Sequence, residues 1–358
     1  MTGAIHIRFP IAVANTIPVG DAPADSSFTT HPNRQLKICV LQFVPWPRLA
    51  QTVIATMAFA SLVVAQGRGR IVEASSLLGG PLYRTEPDGD ARRQMESQLA
   101  VARAARDRAP DDANAIIEVG RRLASLGQYR DAIATFSESI RTHPGDPRMY
   151  HNRGHRFLTL RRLPEAIRDL ERGVQLATGG DDQPEPDARP NAPGTPTGTL
   201  QSNLWFHLGL ARYFSGDFEG AARDHRQCLA AAKSPDMQVA ASHWLYMALR
   251  RLGQDSAAAR VLTPVRRDMG VVESGAYHRL LLFYRGDLPV DSLLTGGGGA
   301  LTNVTTGYGV ANWHLGNGRR DEAVALFRRI LDARSQWPAF GYLAAEAEAK
   351  RLGLGAPR

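Results

Sequence analysis

From Ala113 onward the apolar positions recur every three to four residues, in blocks separated by glycine or proline. That spacing belongs to helices that bury one face. The blocks themselves repeat. At an offset of 34 residues Gly120, Ala132, Phe136 and Ser139 fall onto Gly154, Ala166, Leu170 and Gly173, and Ile116 falls onto Tyr150. Trp205, Gly209, Gly216 and Ala221 carry the scheme further, then Leu245, Leu249, Gly253 and Ala258, then Ala311, Gly318, Ala323 and Phe327. A pattern of this period predicts an array of helical hairpins, each a helix, a tight turn and a second helix.

Each residue type has a physical reason. Glycine inside a helix costs about 1 kcal/mol relative to alanine, so Gly120, Gly154 and Gly209 predict a close approach between the two helices of a hairpin. Ala132, Ala166, Ala221, Ala258 and Ala323 are expected to form the other side of that contact. Gly127, Gly216, Gly253 and Gly318 stand where the first helix ends and allow a left-handed turn residue. Pro144 blocks extension of the second helix of the first hairpin.

Along the chain, residues 66–89 read as an irregular lead-in, and Asp90 to Pro110 as a helix covering the open end of the first repeat. Two regular repeats follow, about Ala113–Asp146 and Pro147–Thr178. GGDDQPEPDARPNAPGTPTGT then interrupts the array, and its prolines, glycines and acids predict a linker at 179–200 with neither helix nor strand. The second block, from 201, holds repeats at about Ser202–Asp236 and Val239–Met269. A shortened unit turns at Gly286–Asp287, and a last repeat runs over Val304–Ser335. FGYLAAEAEAKRLG is suited to closing the array, because a terminal repeat leaves an apolar face to be covered.

The 34-residue period and these residue types resemble the tetratricopeptide repeat (TPR). The resemblance implies an all-α fold, a right-handed TPR superhelix built as a helix–turn–helix solenoid of about five repeats. From Ser274 onward LLLFYRGDLPVDSLL and GYGVANWHLGNGRRDEAVALF are distantly similar to NlpI-type outer-membrane TPR lipoproteins. Members of that family act as adaptors that bring cell-wall hydrolases to a processing protease. More broadly the chain resembles exported bacterial TPR proteins.

Composition changes this picture little. The 358 residues are 43% hydrophobic, which is enough for a core. The formal charge of +8 rests on Lys37, Lys233, Lys350 and forty arginines. These alternate with acids along the whole chain, the pattern of solvated helix faces and not of a phosphate-binding surface, so no nucleic acid is expected. Residues 1–65 read as a leader and signal peptide. Arg48 precedes the apolar run Leu49 to Ala65, and Val63 and Ala65 fit the small-residue positions before a cleavage site. Either the start lies nearer Val40 or Leu41, which would give this signal its usual length, or the leader is unusually long. It predicts an exported protein, periplasmic or secreted, with no stable membrane span after processing. Of the two cysteines only Cys228 follows the cleavage site, so the mature chain forms no internal disulfide.

Candidate chemistry is sparse. His151 and His155 lie one helical turn apart, a spacing that can hold a metal, but no glutamate stands between them and no third ligand is evident nearby. His207, His243 and His314 adjoin Phe206, Trp244 and Trp313 in first helices, which favours packing or peptide contact. Cys228 takes a small position on a second helix and reads as a buried thiol. Gly296–Gly299 lacks the lysine and hydroxyl of a phosphate loop. Asp321–Glu322 and Asp181–Asp182 are neighbours in sequence, which suits solvation more than acid–base work. No catalytic residue and no cofactor are therefore expected. The concave face of the array remains, lined by the first helices. In the first two repeats it is predicted to present Asn114, Arg121, Arg148, His151, Asn152 and His155. In the next two it is predicted to present Asn203, Phe206, Tyr213, His243, Met247 and Arg250. Amide, guanidinium and aromatic groups in that mixture suit an extended peptide or protein partner. A regulatory module for an envelope hydrolase is the alternative, and self-association through the solenoid ends a third reading.

Overall fold

The computed structural model describes residues 70–185, 196–294 and 300–355, all within one compact unit, Gly69–Arg358. The expected leader and signal peptide lie outside the described residues.

Five helical hairpins and a shortened one follow one another. The first two are α2 (Ala113–Ser125) with α3 (Tyr129–Thr142), and α4 (Pro147–Thr159) with α5 (Leu163–Ala177). Next come α6 (Leu200–Ser215) with α7 (Phe218–Ala231), then α8 (Pro235–Arg251) with α9 (Asp255–Leu262). The shortened unit is α10 (Gly275–Tyr284) with α11 (Val290–Leu294), and the last hairpin is α12 (Ala300–Gly316) with α13 (Arg320–Asp332). A helix α1 (Gly89–Arg108) precedes them, and a 3-10 turn (Arg334–Gln336) leads to α14 (Phe340–Arg351).

The sequence explains where the first helices begin. The side chains of Asp112, Asp146, Thr199 and Ser234 accept from backbone N–H groups of the first turns of α2, α4, α6 and α8. Each satisfies a donor that the helix leaves unpaired. The turns end as predicted, with Gly127, Gly216, Gly253 and Gly318 at φ between 69° and 96°.

The contact between the two helices of a hairpin differs from the expectation. A Cβ placed on Gly120 would lie 2.2 Å from the Phe136 ring, one on Gly154 2.8 Å from Leu170, and one on Gly209 2.7 Å from the His225 ring. The glycines thus make room for a large side chain sixteen residues later, one helical turn beyond the alanines. Ala132, Ala166, Ala221, Ala258 and Ala323 are fully buried, but they are not the atoms that a larger residue at Gly120, Gly154 or Gly209 would meet first.

Two segments expected to be irregular carry short strands. In the lead-in, β1 (Val72–Ser75) pairs antiparallel with β2 (Pro81–Tyr83). Its buried Glu73 accepts from Arg84 Nε at 2.7 Å and from the Arg130 backbone N at 3.3 Å, which ties the hairpin to the start of α3. In the linker, β3 (Pro184–Glu185) pairs with β4 (Gly198–Thr199), so the two ends of the interruption are brought together and held against the array.

The position of α14 also differs from that of a simple end cap. It packs on α12 and α13 as expected, with Tyr342 Oη donating to the Leu331 carbonyl at 3.0 Å. Its other sides turn back to the earlier repeats. Arg161 binds Glu346 at 2.8 Å, and Arg351 donates to the Tyr213 and Phe214 carbonyls, each at 2.8 Å. Trp337 Nε1 donates to the Tyr83 carbonyl of β2 at 2.7 Å. Residues Gly341 to Ala349 are all buried. The array curves tightly enough for its last helix to lie against first helices near its beginning, so one continuous apolar core runs from Ala74 to Ala349.

Candidate functional site

The face lined by α2, α4 and α6 gathers around one carboxylate. Glu185, on β3, is buried. It accepts from Arg121 Nη2 at 2.8 Å, His151 Nδ1 at 3.0 Å and Asn203 Nδ2 at 2.9 Å, with Asn152 Nδ2 at 3.5 Å. Burial by itself would raise this carboxyl. The His151 ring, then the Arg121 charge and the Asn203 amide, outweigh it and bring the carboxyl down to about 2. Asn152 also accepts from Arg121 Nε at 3.3 Å and donates to the Arg148 carbonyl at 2.9 Å, which fixes both amide atoms.

Helical spacing builds a second layer beside the first. His151 and His155 are four residues apart on α4, and Asn203 and His207 four apart on α6, so the two pairs face each other. His151 Nε2 lies 3.0 Å from His207 Nδ1, which is also 2.9 Å from the Asn203 carbonyl. His151 Nδ1–H donates to Glu185, and His207 Nδ1 lies between the Asn203 carbonyl and His151 Nε2. His155 stacks on His207 with centroids 4.1 Å apart. Burial first, then neighbouring positive groups, holds His155 and His207 well below the ordinary histidine range, so both rings are neutral at pH 7. Phe206 stands edge-on to His207 and His225. Phe340 of α14 completes the layer, 5.6 Å from His155 and 5.7 Å from His207.

Six of the twelve expected groove residues thus meet in one cluster: Arg121, His151, Asn152, His155, Asn203 and Phe206. Asn114 and Arg148 form a rim beside it, with Arg148 Nη1 donating to Asn114 Oδ1 at 2.6 Å and the guanidinium paired with Asp146. Three others do not line an open surface. Tyr213, His243 and Met247 are fully buried. Tyr213 accepts from Tyr308 Oη at 2.8 Å, Met247 Sδ accepts from Asn312 Nδ2 at 2.7 Å, and His243 lies over Tyr277 and Tyr284. The reason is curvature: α10 and α12 close over the face of α8 that a flatter solenoid would leave open. Arg250 pairs with Asp255 of its own hairpin, at 2.8 Å, and reaches across the same closure to the Gly316 carbonyl, at 2.9 Å.

Three members of the cluster were not expected from the sequence: Glu185, His207 as a hydrogen-bonding residue, and Phe340. Nothing in the linker distinguishes Glu185 from the acids around it. As for metal chemistry, both His151 nitrogens are engaged within the cluster, and the His151 and His155 rings are 6.4 Å apart. Among the described residues no group of three or more His, Cys, Asp or Glu side chains is placed to hold a metal ion.

No family model matches the chain. A 59-residue stretch is 37% identical to Hsp70-Hsp90 organizing protein 2 of Arabidopsis thaliana and 34% identical to the Hsp70-Hsp90 organizing protein of Triticum aestivum. The match covers 16% of this chain and 10% of each relative. Among solved structures, a tetratricopeptide repeat protein from Parabacteroides merdae is 14% identical, over 72% of this chain and 94% of that one, with a TM-score of 0.43. YrrB, a TPR protein with an unusual peptide-binding site, is 14% identical over 70% of this chain and 98% of its own, with a TM-score of 0.38. The fold is a tetratricopeptide-type array. Successive helical hairpins, the first two 34 residues apart, with left-handed glycines at every hairpin turn but the second, carry that assignment.

Proposed function

We propose that this protein is a non-catalytic scaffold or adaptor that binds a protein or peptide partner through the face lined by α2, α4 and α6, in the cell envelope. One observation carries the reading. The face already holds an acidic side chain of its own chain: an extended two-residue strand inserts Glu185 among Arg121, His151, Asn152 and Asn203. Fixed guanidinium, imidazole and amide groups around a carboxylate, beside an aromatic layer, are the parts with which interfaces read acidic and aromatic side chains. The rim pair Asn114 and Arg148 extends that surface toward solvent. The envelope assignment follows from the signal-like run Leu49 to Ala65.

The test is cross-linked affinity purification from the native cell envelope, comparing wild type with Asn114→Ala/Arg148→Ala. These rim residues can be truncated without opening the core. Loss in the variant of a protein that wild type captures supports the reading, and equal capture by both refutes this face as the binding surface. Sequencing the mature amino terminus tests export: a start at Gln66 is expected, and an unprocessed Met1 would overturn it.

A further inference from the structure

The turn between α4 and α5 breaks the rule of the other repeats. Where they place glycine in the left-handed region, this one places Arg161, at φ 64°, the one non-glycine residue with positive φ among the described residues. A side chain in that conformation carries backbone strain, which persists only where the surroundings hold it in place. Here the Arg161 side chain is buried. It donates to Glu346 Oε2 at 2.8 Å, to the Trp337 carbonyl at 2.7 Å and to the Thr159 carbonyl at 2.5 Å, with its guanidinium over the Trp337 ring. The strained residue therefore clasps the segment that leads into and forms α14.

The helix it clasps is built for a weaker hold than its burial suggests. Tyr342 and Leu343 are buried and Arg351 bonds the α6 carbonyls, but Ala344, Ala345, Ala347 and Ala349 remove little apolar area each from water. Glu346 and Glu348 are buried carboxylates, and Glu346 Oε1 and Glu348 Oε2 have no hydrogen-bond partner. A buried charge that is only half satisfied opposes the packing around it. At the helix's start Phe340 is only partly buried, seated among His155, Phe206, His207 and Phe214.

We propose that α14 is an exchangeable occupant of the concave face, held by the Arg161 clasp and replaced by a partner helix of the same chemistry. Such a helix carries an aromatic residue at its amino-terminal end for the histidine–phenylalanine layer and small residues along the facing side. It also carries acidic residues six and eight positions after the aromatic, to take Arg161 and Arg251 as Glu346 and Glu348 do. The proposal rests on the scaffold reading and names its partner class.

The test uses the full chain and a fluorescent peptide of residues 334–355 as the probe. Arg161→Gly removes the clasp and suits the left-handed turn, so the variant keeps its fold. The isosteric Glu346→Gln loosens the same contact from the other side. The peptide is expected to bind both variants about tenfold more tightly than wild type, and amides 340–351 to exchange with deuterium about tenfold faster in both, because the seat of α14 is open in a larger fraction of chains. A peptide carrying Phe340→Ala and Glu346→Gln should not bind. The proposal is overturned if amides 340–351 of both variants exchange as slowly as those of α6 and α8 while the peptide stays unbound, or if a scrambled peptide binds equally well. Either result makes α14 a fixed wall and leaves the rim-variant capture experiment standing; loss of the scaffold reading would show in that experiment instead.

Discussion

Gly120→Ala tests the hairpin joint at the level of single atoms. The added methyl would lie 2.2, 2.5 and 2.8 Å from three carbons of the Phe136 ring, which is 1% exposed and cannot swing into solvent. Alanine in place of glycine in a helix interior is worth about 1 kcal/mol on its own. Overpacking a filled core costs about 1–3 kcal/mol. The net expectation is a loss of up to about 2 kcal/mol by the same two principles. Gly307 of α12 is the internal control. It too lies in a helix interior, but a methyl there meets only the flexible end of Ile330, at 3.4 Å. Gly307→Ala should therefore be neutral or stabilising by up to about 1 kcal/mol. Urea unfolding followed by helical circular dichroism measures both, with a shared slope as the check that only stability has changed. Phe136→Leu combined with Gly120→Ala should recover part of the loss, because the two positions are coupled. If Gly120→Ala is at least as stable as wild type, the contact between Gly120 and Phe136 does not limit the joint, and the account of the hairpin glycines fails.

The remaining predictions concern the buried polar groups. Burial lowers His225 and His243 to about 3 and holds His155 and His207 well below their ordinary value, so their folded pKa lies below the unfolded value of about 6.5. Their stabilising effect is complete above that value and declines as pH falls toward 3, by up to about 1.4 kcal/mol per unit and group. Asp224, raised to about 6 by burial against the pull of Arg212, opposes this by one proton between about pH 6 and 4. The urea midpoint should accordingly be lower at pH 5 than at pH 7.5, and an equal midpoint would refute the burial argument. His225→Phe replaces a ring whose two nitrogens lack partners with the residue that the first repeat carries at the equivalent place, Phe136. It should stabilise by about 1–2 kcal/mol and flatten the pH dependence, as read from the same titration. Glu185→Ala strips Arg121 and His151 of their shared acceptor and should cost about 3 kcal/mol; a change below about 0.5 kcal/mol would place the cluster among the weak surface pairs.

The repeat was legible because it is local. Turn glycines at Gly127 and Gly216 and apolar stripes are decided by φ, ψ and side-chain periodicity within a dozen residues. The boundaries of the hairpins therefore follow from the chain itself. The candidate site was legible in half. Arg121, His151, His155, Asn203 and Phe206 share a register on successive first helices, and register is a property of sequence. Their partner Glu185 was not, because its selection from the acids of the linker depends on where a two-residue strand pairs. Even the glycine contacts show the boundary: that Gly120 meets something closely is written in the sequence, but that it meets Phe136 and not Ala132 depends on how the two helices cross.

By itself, then, the sequence determined an all-α array, its period and the face that carries its polar and aromatic groups, since each depends on interactions between near neighbours along the chain. The tertiary structure alone decided that Tyr213, His243 and Met247 are core, that Arg161 spends its strain on a clasp, and that α14 lies in the concave face. The physical reason is the curvature of the array. Small rotations between neighbouring repeats accumulate until the last helix meets the early ones, and no single repeat encodes that sum.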